Sequence, residues 1–487
     1  MSSAENGNQG EQAQLGLWDA ISIITGIVIG TSIFKMPWLI FLNVSDPWMG
    51  LLVWVFGGFL ALVGGLCYAE LGTTYPRSGG DYVYLTRAYG PWVGFLFGWA
   101  QLAVVLTASI GAMAFVFAEN ATRLYDLTTL VEAGVSSEFL YAVIAIVVIS
   151  LLNIIGVKAG KWTQNLLTIA KVLGLGAIIV AGLFWVESSP MDWRFEEPSK
   201  VGWGGLAMIL VLYAYGGWND AAFVASEVRN VKRNIPLSLI LGIGIITLIY
   251  ILVNAAYLVG LGFDAARAPG AQLPQKLLEG LLPGFGGKAI TIIIMISALG
   301  AVNGLTFTGA RVYATLGNDY PLFGWLGHWK PGRGAPILAL IVQAIIALAM
   351  ISTLCTKAGH EAINELLDNP FFKDRGILVT TTEWKPDDAF EILVSHSAPV
   401  FWVFFLLTGM SLFILRDKDR GIERPFKVPF YPILPIIFCN MCIYMIYQST
   451  IYVGYRSLFC IVLVLLGLPL YFLSRMLGGY REGTPTR

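Results

Sequence analysis

The sequence predicts an all-α, polytopic membrane protein that crosses the bilayer twelve times in two related halves. Three observations carry that prediction. Hydrophobic side chains make up 56% of the 487 residues and charged ones 13%, where about 25% charge is usual for a soluble domain. Apolar windows of roughly 20 residues, the length of a membrane helix, recur along the whole chain. Two of those windows are interrupted by small residues at corresponding places, as expected of inverted repeats.

Residues 1–16 form a polar tail without Lys or Arg and read as disordered, with no cleavable leader. The first half, 17–186, holds spans at 17–42, 48–70, 92–118, 139–156 and 162–186. The second half, 203–417, holds spans at 203–226, 237–260, 289–316, 336–354 and 399–415. Two further spans, 433–453 and 457–476, precede a short tail, 477–487. Most Lys and Arg fall on the side of the N-terminus, which places both termini in the cytoplasm. A long outer segment, 355–398, is expected to form a small helical cap that serves as a lid or docks a partner. The five cysteines, Cys67, Cys355, Cys439, Cys442 and Cys460, show neither metal-binding spacing nor a disulfide framework. Two sequons, at Asn43 and Asn120, hug the membrane and carry little weight.

The breaks carry the chemistry. One is Gly30-Thr31-Ser32 in "GIVIGTSIFKMP"; the other is Tyr215-Gly216-Gly217-Trp218 in "VLYAYGGWNDAAF". A broken helix in hydrocarbon strands backbone N–H and C=O groups at several kcal/mol each, tolerable only where the break is buried or lines a cavity. The restarted half of the first span offers N–H groups and the positive end of its dipole to an anion. The first half of the sixth span ends in free carbonyls suited to a cation. One site with both matches the α-carboxylate and α-amine of an amino acid. Close packing of small residues would explain either break alone; two in matching places, flanked by aromatics, favour a site.

Six segments, "GIVIGTSIF", "CYAELGTTYPRSGGDYVYLTRAYGP", "YAYGGWN", "EVRNVKRNIPLSLI", "GAVNGLTFTGARVYA" and "RPFKVPFYPILP", run in order along nearly the whole chain. In them the sequence resembles the amino acid–polyamine–organocation superfamily, in its L-type amino-acid transporter branch. The resemblance implies the twelve-helix, leucine-transporter-type five-plus-five inverted repeat, and transport of amino acids, often by exchange. It implies that Gly30, Thr31 and Ser32 bind the substrate carboxylate, with Val28 and Ile33 beside them as further substrate-binding positions. Ser32 stands where the family usually has Gly, which narrows the approach or adds a donor. Tyr213, Ala214 and Gly216 match positions that hold the amine and close over the substrate, Asn219 matches a polar position of the same turn, and Trp402 matches an aromatic bordering the side-chain pocket. Lys171 matches a lysine that replaces a sodium ion between spans one, five and eight, implying sodium independence. Residues 119–138 lack the cysteine that links some members to a glycoprotein heavy chain, so no such partner is expected and the prokaryotic, stand-alone type is implied.

Several charges stand on their own merits. Lys171 lies mid-span, where a charge costs at least about 2.5 kcal/mol and marks a functional site by default. Lys35 is read as snorkelling to the outer headgroups. Asp220 is a candidate for coupling or specificity. Glu70 and Glu227, at cytoplasmic span ends, are read as partners of arginines. His360 and His396 lie too far apart for a metal site, and His328 reads as solvated. There is no phosphate-binding loop, nucleophile elbow or metal cluster, so the chain is not expected to be an enzyme or to need a cofactor. Neutral overall charge without basic runs gives no reason to expect nucleic acid. The expected activity is sodium-independent alternating access, by exchange, of neutral amino acids, because the pocket around Val28, Tyr213 and Trp402 shows no fixed charge apart from Asp220 nearby. Proton- or sodium-coupled symport and a non-transporting amino-acid sensor are the competing readings.

Overall fold

A computed structural model describes residues 15–77, 79–127, 136–185, 205–219, 228–268, 270, 272–328, 335–367, 389–453 and 457–478, and the statements below concern these. They form helices and connecting turns. The β-pairing among them is one isolated bridge, Leu15 with Val228, where the Arg229 N–H donates to the Leu15 carbonyl at 2.8 Å.

The helices are α1 (Leu17–Val28), α2 (Ser32–Lys35), α3 (Pro37–Leu42), α4 (Pro47–Thr74), α5 (Asp81–Tyr89), α6 (Pro91–Leu124), α7 (Ser137–Ile155), α8 (Val157–Val180) and α9 (Gly205–Ala214). They continue as α10 (Val231–Leu261), α11 (Phe263–Ala266), α12 (Leu273–Leu281), α13 (Gly286–Asp319), α14 (Ile337–Leu354), α15 (Lys357–Leu367), α16 (Ala389–Lys418), α17 (Ile433–Val453), α18 (Ser457–Leu465) and α19 (Gly467–Met476). Among the described residues, nine helical segments are long and apolar enough to cross a membrane.

Local chemistry sets the ends. Proline occupies the first turn of α3, α4 and α6, where its missing N–H costs nothing. Asp46 caps α4 by accepting from the Met49 N–H at 2.9 Å, and Ser136 caps α7 through the Phe139 N–H at 3.2 Å. The lipid-facing sides are apolar and exposed: Ile144, Val148 and Leu151 on α7, Leu166 and Leu173 on α8, and Ile345 on α14. Inside, α4 packs on α10, α6 on α13 and α16 on α17, while α1 touches α8, α10 and α13.

Three expectations change. The first span is three pieces, α1 to α3, because the break at residues 29–31 is followed by Met36 and Pro37. The tenth helix starts earlier, α16 beginning at Ala389 rather than 399, and α15 fills the start of the segment 355–398, of which 368–388 lie outside the described residues. The last span is two helices that meet at Leu466. Asn120 lies buried within α6, its amide donating to the Val116 carbonyl at 2.9 Å, so its sequon is not an open acceptor. None of the five cysteines is paired with another.

Candidate functional site

At the first break the Ile29 N–H still reaches back to the Thr25 carbonyl at 2.9 Å, and the Gly30 N–H turns tightly onto Val28 at 2.6 Å. The next internal bond is Phe34 N–H to the Thr31 carbonyl, 3.0 Å. The N–H groups of Thr31, Ser32 and Ile33 thus precede the ladder of α2. At the second break α9 ends at Ala214, and the Gly216 N–H folds back onto the Tyr213 carbonyl at 2.9 Å. Gly217 adopts φ +103°, and a Cβ there would stand 2.6 Å from Cγ2 of Ile27. Only glycine meets both demands, left-handed backbone and close approach. The two breaks therefore touch.

Tyr250 of α10 joins them. Its hydroxyl lies 2.8 Å from the Val28 carbonyl and 3.1 Å from the Ala214 carbonyl, one from each break, and can donate to either. Its ring packs against Trp54 and Tyr215, with centroids 5.2 and 5.1 Å away. Sequence reasoning missed Tyr250, because one tyrosine within an apolar span carries no pattern.

The breaks open onto a cavity of about 120 Å³, well above the ~10–15 Å³ that holds one water. Its lining includes Val28, Gly30, Ser32, Tyr213, Ala214, Gly216, Asn219 and Trp402, eight of the ten residues expected at a substrate site. Thr31 and Ile33 lie outside the lining: both are fully buried, and the Thr31 hydroxyl points at Sδ of Met113, 3.5 Å away. The side chain of Asp220 falls outside the described residues, as does Glu227. The structure adds Gln101, Ser109 and Met113 from α6, Leu305 from α13, and Ser397 and Phe401 from α16. No charged side chain lines the cavity among the described residues.

Lys171 of α8 lies behind the first break, fully buried. Its Nζ donates to the carbonyls of Gly26 at 2.7 Å and Ile29 at 2.8 Å, and the Ser297 hydroxyl also donates to Ile29 at 3.3 Å. The ammonium thus sits at the C-terminal, electronegative end of α1. Gly300 of α13 leaves it room, since a Cβ there would come within 3.0 Å of Nζ. The cation therefore lies where helices α1, α8 and α13 meet.

Away from the cavity, Lys35 does not snorkel free. It pairs with Glu119 of α6 at 2.9 Å and stands 5.0 Å above the ring of Phe390, which meets Tyr213 edge-on at 6.3 Å. At the opposite ends of the helices, fully buried Glu70 accepts from Arg416 at 2.8 Å, from Arg424 at 3.4 Å and from the Val428 N–H at 2.7 Å. Arg77 pairs with Asp319 at 2.7 Å, and Arg87 with Asp419 at 2.5 Å. The Arg87 guanidinium, assisted by the Tyr75 hydroxyl, holds the Asp419 carboxyl below its usual range. No cluster of three or more His, Cys, Asp or Glu able to hold a metal occurs among the described residues.

Comparison with known proteins identifies the family. A model of the amino acid permease family matches residues 15–466. The chain is similar to the serine/threonine exchanger SteT of Bacillus subtilis, 29% identical over 96% of this chain and 97% of that one. It is 30% identical to the b(0,+)-type amino acid transporter 1 of Mus musculus, over 95% of this chain and 88% of the relative. It is 28% identical to the large neutral amino acids transporter small subunit 2 of Homo sapiens, over 95% and 80%. With apolar spans, two apposed helix breaks and a family match over most of its length, the chain is a multi-pass membrane protein that belongs to the amino acid permease family.

Proposed function

We propose that the protein carries neutral amino acids through the membrane by sodium-independent alternating access, exchanging one for another. The observation that carries this reading is the cavity at the two breaks, whose described lining holds no charge but offers N–H groups on one side and carbonyls on the other. In this reading the free N–H of Ser32, beside Gly30 at the cavity wall, holds the α-carboxylate, with Thr31 shaping the turn behind it. The carbonyls about Tyr213 and Ala214 accept from the α-amine, Asn219 and Trp402 bound the pocket, and Tyr213 closes over it. Lys171 supplies the positive charge that a sodium ion would otherwise bring to the Gly26 and Ile29 carbonyls. The fold completes twelve spans as a five-plus-five inverted repeat, with both termini cytoplasmic and no heavy-chain partner.

The test is uptake of single labelled amino acids into vesicles holding the purified protein, empty or preloaded, without sodium. Uptake confined to preloaded vesicles supports exchange; uptake that needs added sodium overturns the role given to Lys171. Proton coupling is the second reading. It is favoured by one observation, that the hydrogen-bond partners of Lys171 are carbonyls with no carboxylate among them. A pH gradient that drives net uptake into empty vesicles would establish it.

A further inference from the structure

We propose that Gln101 reads the side chain of the carried amino acid, selecting neutral side chains that hydrogen-bond, a hydroxyl or a carboxamide, over aliphatic ones of the same shape. The inference rests on the reading of the cavity as an amino-acid site and names the substrate class within it.

Gln101 opens a π-helical turn, Gln101–Val105, inside α6, and such turns recur at functional sites. The residue is 4% exposed and lines the cavity. Its backbone carbonyl accepts from the Tyr313 hydroxyl at 3.2 Å, but its side-chain amide bonds to no described residue. The amide opens onto the cavity, where only water or a bound ligand can complete its hydrogen bonds. A ligand group able both to donate and to accept would satisfy it.

Two serines face the same space. Ser109 donates to the Val105 carbonyl at 2.9 Å and Ser397 to the Leu393 carbonyl at 2.9 Å, so each hydroxyl has spent its proton on its own helix. What they retain is acceptor capacity. Beyond the breaks, where Ser32, Tyr213 and Asn219 also line it, the cavity therefore offers in Gln101 a group that both donates and accepts, with the acceptors of Ser109 and Ser397 beside it, and no counter-ion for a charged side chain among the described lining. A hydroxyl or carboxamide side chain complements that set; an aliphatic one leaves Gln101 unpaired. Sites built to hydrogen-bond a substrate reject an isostere lacking the group far better than apolar pockets reject an added methylene.

L-Threonine and L-valine are the probes, since they share shape and differ in the hydroxyl. Threonine is expected to be taken up over valine by at least about tenfold, and Gln101→Met to bring the two together. A ratio of uptakes cancels differences in the amount of folded protein between parent and variant. Equal uptake by the parent, or an unchanged ratio in Gln101→Met, overturns the proposal. If vesicles take up neither, the transport reading fails; ligand-induced shifts in Tm of the purified parent still decide this one. Stabilisation by threonine and not by valine supports it, and equal or absent stabilisation by both overturns it.

Discussion

Single side chains connect the site to its supports. Tyr250 is one hydroxyl shared between two broken ends, so removing it frees carbonyls at both. Tyr250→Phe keeps the ring in its contact with Trp54 and Tyr215 and deletes only the donor. A buried acceptor without its donor costs about 1–3 kcal/mol. The expected result is apparent substrate affinity weakened roughly 5- to 100-fold in a protein that remains folded; parental affinity would show that the breaks hold their geometry without it. Lys171 is the stronger case. Lys171→Met takes the donor from both Gly26 and Ile29, and exchange is expected to fall at least tenfold with or without sodium. Parental exchange across the pH range would remove Lys171 from the mechanism. Gly300→Ala approaches the same ammonium from the other side, at 3.0 Å, and should impair exchange while leaving the carbonyls' donor in the chain.

Between elements, the pair Lys35–Glu119 joins α2, which continues from the first break, to α6, which lines the cavity. Phe390 and Tyr213 stack the same corner onto α16 and α9, so opening this end must part all four. The pair is partly exposed, with 38% and 25% of its side chains accessible, and is worth at most about 1 kcal/mol. Glu119→Gln should therefore raise the open fraction by no more than about fivefold. A thiol reagent reaching Ser397→Cys from that side would measure it, and an unchanged rate would show that the aromatic layer alone closes the end. Such couplings also mark the limit of what the sequence disclosed. The breaks were legible because Gly-Gly and Gly-Thr-Ser inside apolar windows violate helix chemistry locally, and Lys171 because a mid-span charge is anomalous by itself. Tyr250, Gln101 and the Lys35–Glu119 pair were not, since each depends on partners 36 to 222 residues away in the chain. Hydropathy likewise placed most spans but merged α1 to α3, because apolar character is continuous through Met36 and Pro37.

Across the whole molecule, the cavity's described lining carries no charge and lies between the Lys35–Glu119 pair at one end and a group of ion pairs at the other. There Glu70 of α4, Arg77 in the turn after it and Arg87 of α5 reach Arg416 of α16, Asp319 of α13 and Asp419 just past α16, and any rocking of one set of helices against another must pass through these ties. Asp81 stands among them, at the start of α5 and 1% exposed. One carboxylate oxygen accepts from the hydroxyls of Tyr68 of α4 and Thr408 of α16, the latter at 2.7 Å; the other has no partner among the described residues. Burial pushes its carboxyl up to about 6, against the opposing pull of those two donors. Folding therefore favours the protonated acid. Its contribution is complete below the unfolded value near 3.8 and is lost as the pH rises through about 6. Asp419 has the opposite sign: its lowered carboxyl contributes above the unfolded value, and that contribution is lost as the pH falls. Together they place the most favourable conditions for this face near pH 4, with the Asp81 contribution declining from there to about pH 6. At pH 7.5 the Asp81 contribution lost is at most about 3 kcal/mol, two pH units at roughly 1.4 kcal/mol each. Asp81→Asn keeps an acceptor for Tyr68 and Thr408 and carries no charge at any pH. It is expected to raise Tm at pH 7.5 and to flatten the fall in Tm between pH 5 and 7.5 shown by the parent. A variant whose Tm tracks the parent's at every pH would mean that the buried acid is charged and satisfied in the folded protein.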